Sequence, residues 1–135
     1  MSVENVMAEL KGFEEAQAGK PYSSRDHVSA SEIERWSALI GEPRAVLYDL
    51  IAIFLARGFH NSELSFEFCD AVMNDVHGVI SSADEIRPAL FWEVYLAFDE
   101  GEYYHNDKRD EDPPEVSTRP MIARILEDLP SSHNR

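Results

Sequence analysis

One cysteine in 135 residues, Cys69, cannot close an internal disulfide, so nothing in the chain asks for an oxidising compartment. No apolar run approaches the roughly 18 residues that a membrane span needs. The opening residues MSVENVMAELKGFEE have neither the basic region nor the continuous apolar run of an export signal. The expectation is a cytoplasmic protein with no membrane partner. The six glycines are scattered, and none builds a phosphate-cradling loop. Basic residues are also scarce, 12 against 26 acidic, which leaves a formal net charge of −14. Such a field repels nucleic acid and anionic membranes and speeds encounter with basic partners.

The chain's length suits one domain, able to bury roughly two thirds of its unfolded surface. Val3, Val6, Met7 and Leu10 recur at helical spacing, with Phe13 one step on, and Gly19-Lys20-Pro21 halts the pattern. The polar, aperiodic stretch 20–30 reads as a connection. Ser29 with Glu32, and Ser31 with Glu34, each match a capping box, so a second helix begins near residue 31 with Ile33, Trp36 and Ile40 on its apolar face. Gly41 suits the left-handed end of that helix and Pro43 the first turn of the next. In AVLYDLIAIFLA, residues 45–56, Asp49 is the only charge. A helix apolar nearly all round is a central one.

A fourth helix carries Cys69, Val72, Met73, Val76 and Ile80 on one stripe, without strand alternation. Pro88 is tolerable only in the first turn of a helix that buries Phe91, Trp92, Val94, Tyr95, Leu96 and Phe98. At Gly101 the chain changes character and becomes an acidic loop, 101–117. Ser117 or Thr118 then caps a last helix lined by Ile122, Ile125, Leu126 and Leu129, which Pro130 ends, and the tail 130–135 frays. The expected fold is an all-α single-domain bundle of five or six helices, with no internal repeat.

Between Asp99 and Glu115 stand Asp99, Glu100, Glu102, Asp107, Asp110, Glu111, Asp112 and Glu115 against Lys108 and Arg109, so this stretch carries −6 of the −14. It is either a solvated surface or a steering surface for a basic protein. Tyr103 and Tyr104 sit within it. Tyrosine buries a large area at low entropic cost and keeps a hydrogen-bonding tip, as interface anchors do, although the pair can also cap the core.

Other chemistry finds less support. Neither Asp99 nor Asp107 as first ligand gives an EF-hand pattern, and Glu102-x-x-His105 lacks the second such pair that a di-iron bundle needs. No metal site and no cofactor are therefore expected. Cys69 lies on an apolar stripe, where a free thiol behaves as a small hydrophobe rather than as a nucleophile served by His77 or His60. Asp49 either faces solvent or is buried with a partner.

Tyr103-Tyr104, the acidic run Asp110-Glu111-Asp112, Pro113 and a closing amphipathic helix together resemble the end of the colicin and pyocin DNase immunity proteins. The resemblance implies a small acidic helical bundle that binds a basic toxin nuclease and keeps it inactive. It implies that Tyr103 and Tyr104 are anchors and Asp110 and Asp112 supporting acids. His105 stands where that family usually has proline. The expected function is an acidic protein-binding module that occludes a basic cleft, not an enzyme, with Tyr103, Tyr104, Asp99, Glu100, Glu102, Asp107, Asp110, Glu111 and Asp112 as its binding residues. The alternatives are an enzyme or metal-dependent protein using Glu102 and His105, and a structural or regulatory helical protein.

Overall fold

The computed structural model describes residues 3–17, 28–103 and 110–129. They form six α-helices and no strand: α1 (Val3–Gln17), α2 (Ala30–Ile40), α3 (Arg44–His60), α4 (Phe66–Ser82), α5 (Ala89–Asp99) and α6 (Arg119–Glu127). A 3₁₀ turn, Glu100–Glu102, continues α5, and a π turn, Pro114–Thr118, runs into α6. The protein is a single all-α domain. Most of the expected connection over 20–30, the tail 130–135, and Tyr104, His105 and Asp107 lie outside the described residues.

Helix α3 is the centre. Leu47, Tyr48, Ile51, Ala52, Leu55, Ala56 and Phe59 are buried around it, and it packs against α2, α4, α5 and α6. Full burial of a large apolar side chain is worth about 1.5–3 kcal/mol, so a helix buried over most of its surface, with the Val46–Leu50–Phe54 stripe partly open, dictates where its neighbours lie. Helix α4 adds its expected stripe of Cys69, Val72, Met73, Val76 and Ile80, all buried. Helix α1 supplies Val6, Met7 and Leu10, joined to α2 by Phe13 against Trp36 at 6.1 Å between ring centroids and by the Arg35–Glu9 ion pair.

Helix ends follow local chemistry. Of the two candidate capping boxes, Ser29/Glu32 is used: Glu32 Oε1 accepts from the Ser29 N–H at 2.8 Å. Gly41 closes α2 at φ +70°, a conformation that suits a residue without Cβ. Pro43 and Pro88 stand immediately before α3 and α5, where a missing N–H costs nothing. Asp49 turns out to be a structural cap: its Oδ1 accepts from the Phe91 N–H at 3.0 Å, satisfying an amide in the first turn of α5 from the middle of α3. Tyr48 makes a second tie at that end, its hydroxyl donating to Glu85 at 2.6 Å while Arg44 pairs with Glu85 at 3.1 Å.

Helix α5 is less buried than its composition suggests. Phe91, Val94, Ala97 and Phe98 face the core, but Leu96 is exposed and Trp92 and Tyr95 are half-buried. The two rings lie nearly parallel, 4.9 Å apart, with His77 against Tyr95 at 4.6 Å and the Arg87 guanidinium 3.8 Å over Trp92. The apolar run is longer than the width of core available, so its outward residues cover one another. His77 is thus a packing residue of this ladder. Cys69 is buried, and its thiol, pushed well up by burial, donates to the Leu55 carbonyl at 3.6 Å.

Residues 113–118, expected as the end of a loop with Ser117 or Thr118 as cap, are helical. Thr118 is buried and its hydroxyl donates to the Ala97 carbonyl at 2.7 Å, so it clasps α5 instead of capping α6. Replacing Asp49 by alanine removes the cap on α5. The unfolding free energy from urea titration should fall by about 1–2 kcal/mol, and an unchanged midpoint would show that Asp49 does no capping work.

Candidate protein-binding face at the acidic end of the bundle

Three phenylalanines from three helices bring the helix ends together. Phe59 near the end of α3, Phe66 at the start of α4 and Phe98 near the end of α5 pack with ring centroids 5.5–6.4 Å apart, two of the three contacts edge-on. The chain around this cluster is tight. A Cβ on Gly101 would lie 2.6 Å from Phe66 Cε1 and closer still to the Thr118 hydroxyl, so only glycine lets the 3₁₀ turn press against Phe66 and the π turn. Gly101 is therefore a buried packing point as well as the boundary the sequence suggested.

Arg119 closes the end of α3. Its guanidinium lies 4.3 Å over the Phe59 ring, takes Glu115 in two bonds of 2.8 and 3.1 Å, and donates to the Phe59 and His60 carbonyls at 3.1 and 3.2 Å. Carbonyls at a helix C-terminus carry partial negative charge, so a cation belongs there.

Around this scaffold the carboxylates converge. Asp99, Glu100 and Glu102 leave the end of α5, and Asp70 rises to meet them from α4. Asp70 is only 8% exposed, hydrogen-bonds Glu102, and has its pKa pushed up to about 8, first by burial and then by Glu102, Asp99 and Glu67. The raised pKa favours the protonated form of Asp70 as the hydrogen-bond partner of Glu102, whose Oε2 accepts from Asn74 at 3.3 Å. Asp99 is raised too, by partial burial and by Glu102 and Glu100. Burial and neighbouring carboxylates raise a carboxyl pKa because a second charge with little water around it is costly.

Tyr103 stands 48% exposed on the rim of this cluster, its pKa raised chiefly by Glu100 so that the phenol stays neutral and able to donate. On the other side of the π turn, Asp110 and Asp112 are exposed and Glu111 is half-buried. Asp112 borders an open groove of about 550 Å³, whose walls include Glu14, Glu63, Glu67 and Glu115 and whose floor includes Phe59 and Phe66. Glu14 also fixes the start of α4, accepting from the N–H and the hydroxyl of Ser65 at 3.1 Å each.

No family model matches the chain, and no significant similarity to a curated protein or a solved structure was found.

The structure therefore brings Asp99, Glu100, Glu102 and Tyr103 into one cluster and places Asp112 on a neighbouring groove, while Tyr104 and Asp107 lie outside the described residues. Sequence reasoning missed Asp70, Glu14, Glu63 and Glu67. Asp70 left a faint signal, an acid inside the otherwise apolar run 68–73. The other three left none, because α1, the α3–α4 turn and the start of α4 meet the acidic stretch only through folding. Among the described residues no group of three or more His, Cys, Asp and Glu side chains is arranged to hold a metal ion. Glu102 is engaged by Asp70 and Asn74, and His105 is not described. No described helix is long and apolar enough to cross a membrane.

Asp70 makes stability fall with pH. A folded pKa raised above the ordinary 3.8 means that the native state holds a proton the unfolded chain has released. The stabilisation is complete below about pH 4 and is lost progressively toward about pH 8. Asp70→Asn, which mimics the protonated acid, should flatten most of this decline in urea midpoints measured across that range, leaving the smaller part due to Asp99. An undiminished slope in the variant would place the proton elsewhere.

Proposed function

We propose that this protein is a cytoplasmic, bacterial immunity-type inhibitor whose acidic end docks on a basic partner and occludes its functional cleft. The observation that carries this is the convergence of carboxylates from α4, α5, the 3₁₀ turn and the chain before α6 onto one face, with Tyr103 exposed at its rim. Like charges are held together there at a cost in stability, as the raised pKa of Asp70 indicates. A basic partner relieves that cost when it binds. The acids supply steering and exclusion of wrong partners, while a neutral aromatic with a polar tip supplies contact area.

The resemblance to DNase immunity proteins supports the same reading. Of the residues that carry it, Tyr103 stands exposed at the rim, Asp110 and Asp112 are exposed before the π turn, and the closing helix is α6. A basic nuclease is then the class of partner, inhibited because its cleft for nucleic acid is covered by a surface of the same charge as its substrate.

The test is capture of basic proteins from the host lysate at low and moderate salt, followed by assay of the retained protein's nuclease activity. An equimolar amount of the chain should abolish that activity. The triple reversal Asp110→Lys, Glu111→Lys, Asp112→Lys should slow association about tenfold or more at low salt, while Tyr103→Ala should act mainly on dissociation. Retention of no basic protein, or of one whose activity is unaltered, would contradict the proposal.

A further inference from the structure

The groove beside Asp112 does not include Tyr103 in its lining, and it joins Asp112 and Glu115 of the acidic stretch to Glu14, Glu63 and Glu67, which come from other elements. Its volume, about 550 Å³, falls within the roughly 300–1,000 Å³ of clefts that hold a ligand group. Charged walls surround an aromatic floor. Glu63, Glu67 and Asp112 are exposed at its edges and make no ion pair among the described residues, and among those residues Arg119 is the one cation that lines it.

Arg119 also shows what this floor holds. Its guanidinium stacks on Phe59 while its edge takes a carboxylate in two bonds. Phe66 is the adjoining ring, edge-on to Phe59 at 6.4 Å, half-buried and lining the groove. It carries no cation of this chain among the described residues. The half-buried Phe66 lines the same groove as Glu63, Glu67 and Asp112, so a second guanidinium entering it would find an aromatic ring and carboxylates together, the pairing that Arg119 has at Phe59. Arginine fits this better than lysine, because it stacks on aromatic faces and bonds carboxylates in pairs, whereas an ammonium is a more strongly hydrated point charge.

On the premise that the protein binds a basic partner, as proposed above, we infer that this groove takes an arginine-bearing extended segment of that partner, with one guanidinium stacked on Phe66 between Glu63, Glu67 and Asp112. The groove then fixes the register of docking, and the rim around Tyr103 adds area and steering.

The probe is a fluorescein-labelled arginine-rich peptide, with a lysine-rich peptide of the same length beside it, and the readout is fluorescence anisotropy at low salt. The parent should bind the arginine peptide more tightly than the lysine one. Glu63→Lys with Glu67→Lys should weaken the arginine peptide by more than about tenfold, whereas Glu34→Lys with Glu42→Lys, an equal charge change away from the groove, should cost less than about threefold. Phe66→Leu, checked for an unchanged helical spectrum, should erase the preference for arginine. Equal losses in the two charge variants would overturn the groove while leaving a basic partner intact, since the field alone would then explain binding. Equal affinity of the parent for the two peptides would overturn the stacked guanidinium. A parent that binds neither peptide would overturn both the groove and the wider function.

Discussion

Burying most of α3 is the constraint from which the rest follows. Leu47, Ile51 and Leu55 are fully enclosed, and a helix can be enclosed in this way only if α2, α4, α5 and α6 run along it. Once they do, polar groups carried into the middle must be satisfied by neighbours. Asp49 meets this by capping α5, and Tyr48 by bonding Glu85. At the other end, the carbonyls that close α3 are met by Arg119 and the α5 carbonyl of Ala97 by Thr118. The bundle is therefore tied at both ends by side chains from distant parts of the chain.

The two ends differ in their electrostatics. At the Asp49 end, charge is compensated, with Arg44 against Glu85. At the Arg119 end, carboxylates outnumber cations, and they are accommodated by three means: a cation over Phe59, a raised pKa at Asp70, and exposure of the remainder to water. A surface kept against its own repulsion favours association with anything that neutralises it. That is a physical reason to place function here rather than on the Trp92–Tyr95–His77 ladder, whose rings already stack on one another and on Arg87.

The helices were legible because their signals are local. The capping pair Ser29 and Glu32, the terminating Gly41, the prolines before α3 and α5, and the stripe from Cys69 to Ile80 each act within a few residues. What was not legible depends on which helices become neighbours. The apolar run of α5 gives no hint that Trp92 and Tyr95 stack on His77 at the surface. Nothing near Thr118 in sequence signals that its hydroxyl bonds Ala97 rather than a helix start. The acidic face was half visible, since Asp99, Glu100, Glu102 and Asp110–Asp112 are contiguous. The groove was invisible, because Glu14, Glu63 and Glu67 reach it from other elements.

The central claim is that the Arg119 end of the bundle is where a partner docks. The most direct measurement is a map of backbone amide chemical shifts for the protein alone and saturated with the basic protein that the proposed capture would identify. The account predicts that the largest changes fall on residues 59–67, 99–103 and 110–119, with α2 and the Trp92–His77 ladder nearly unmoved. Changes centred on that ladder or on α2, with the Arg119 end unchanged, would contradict it.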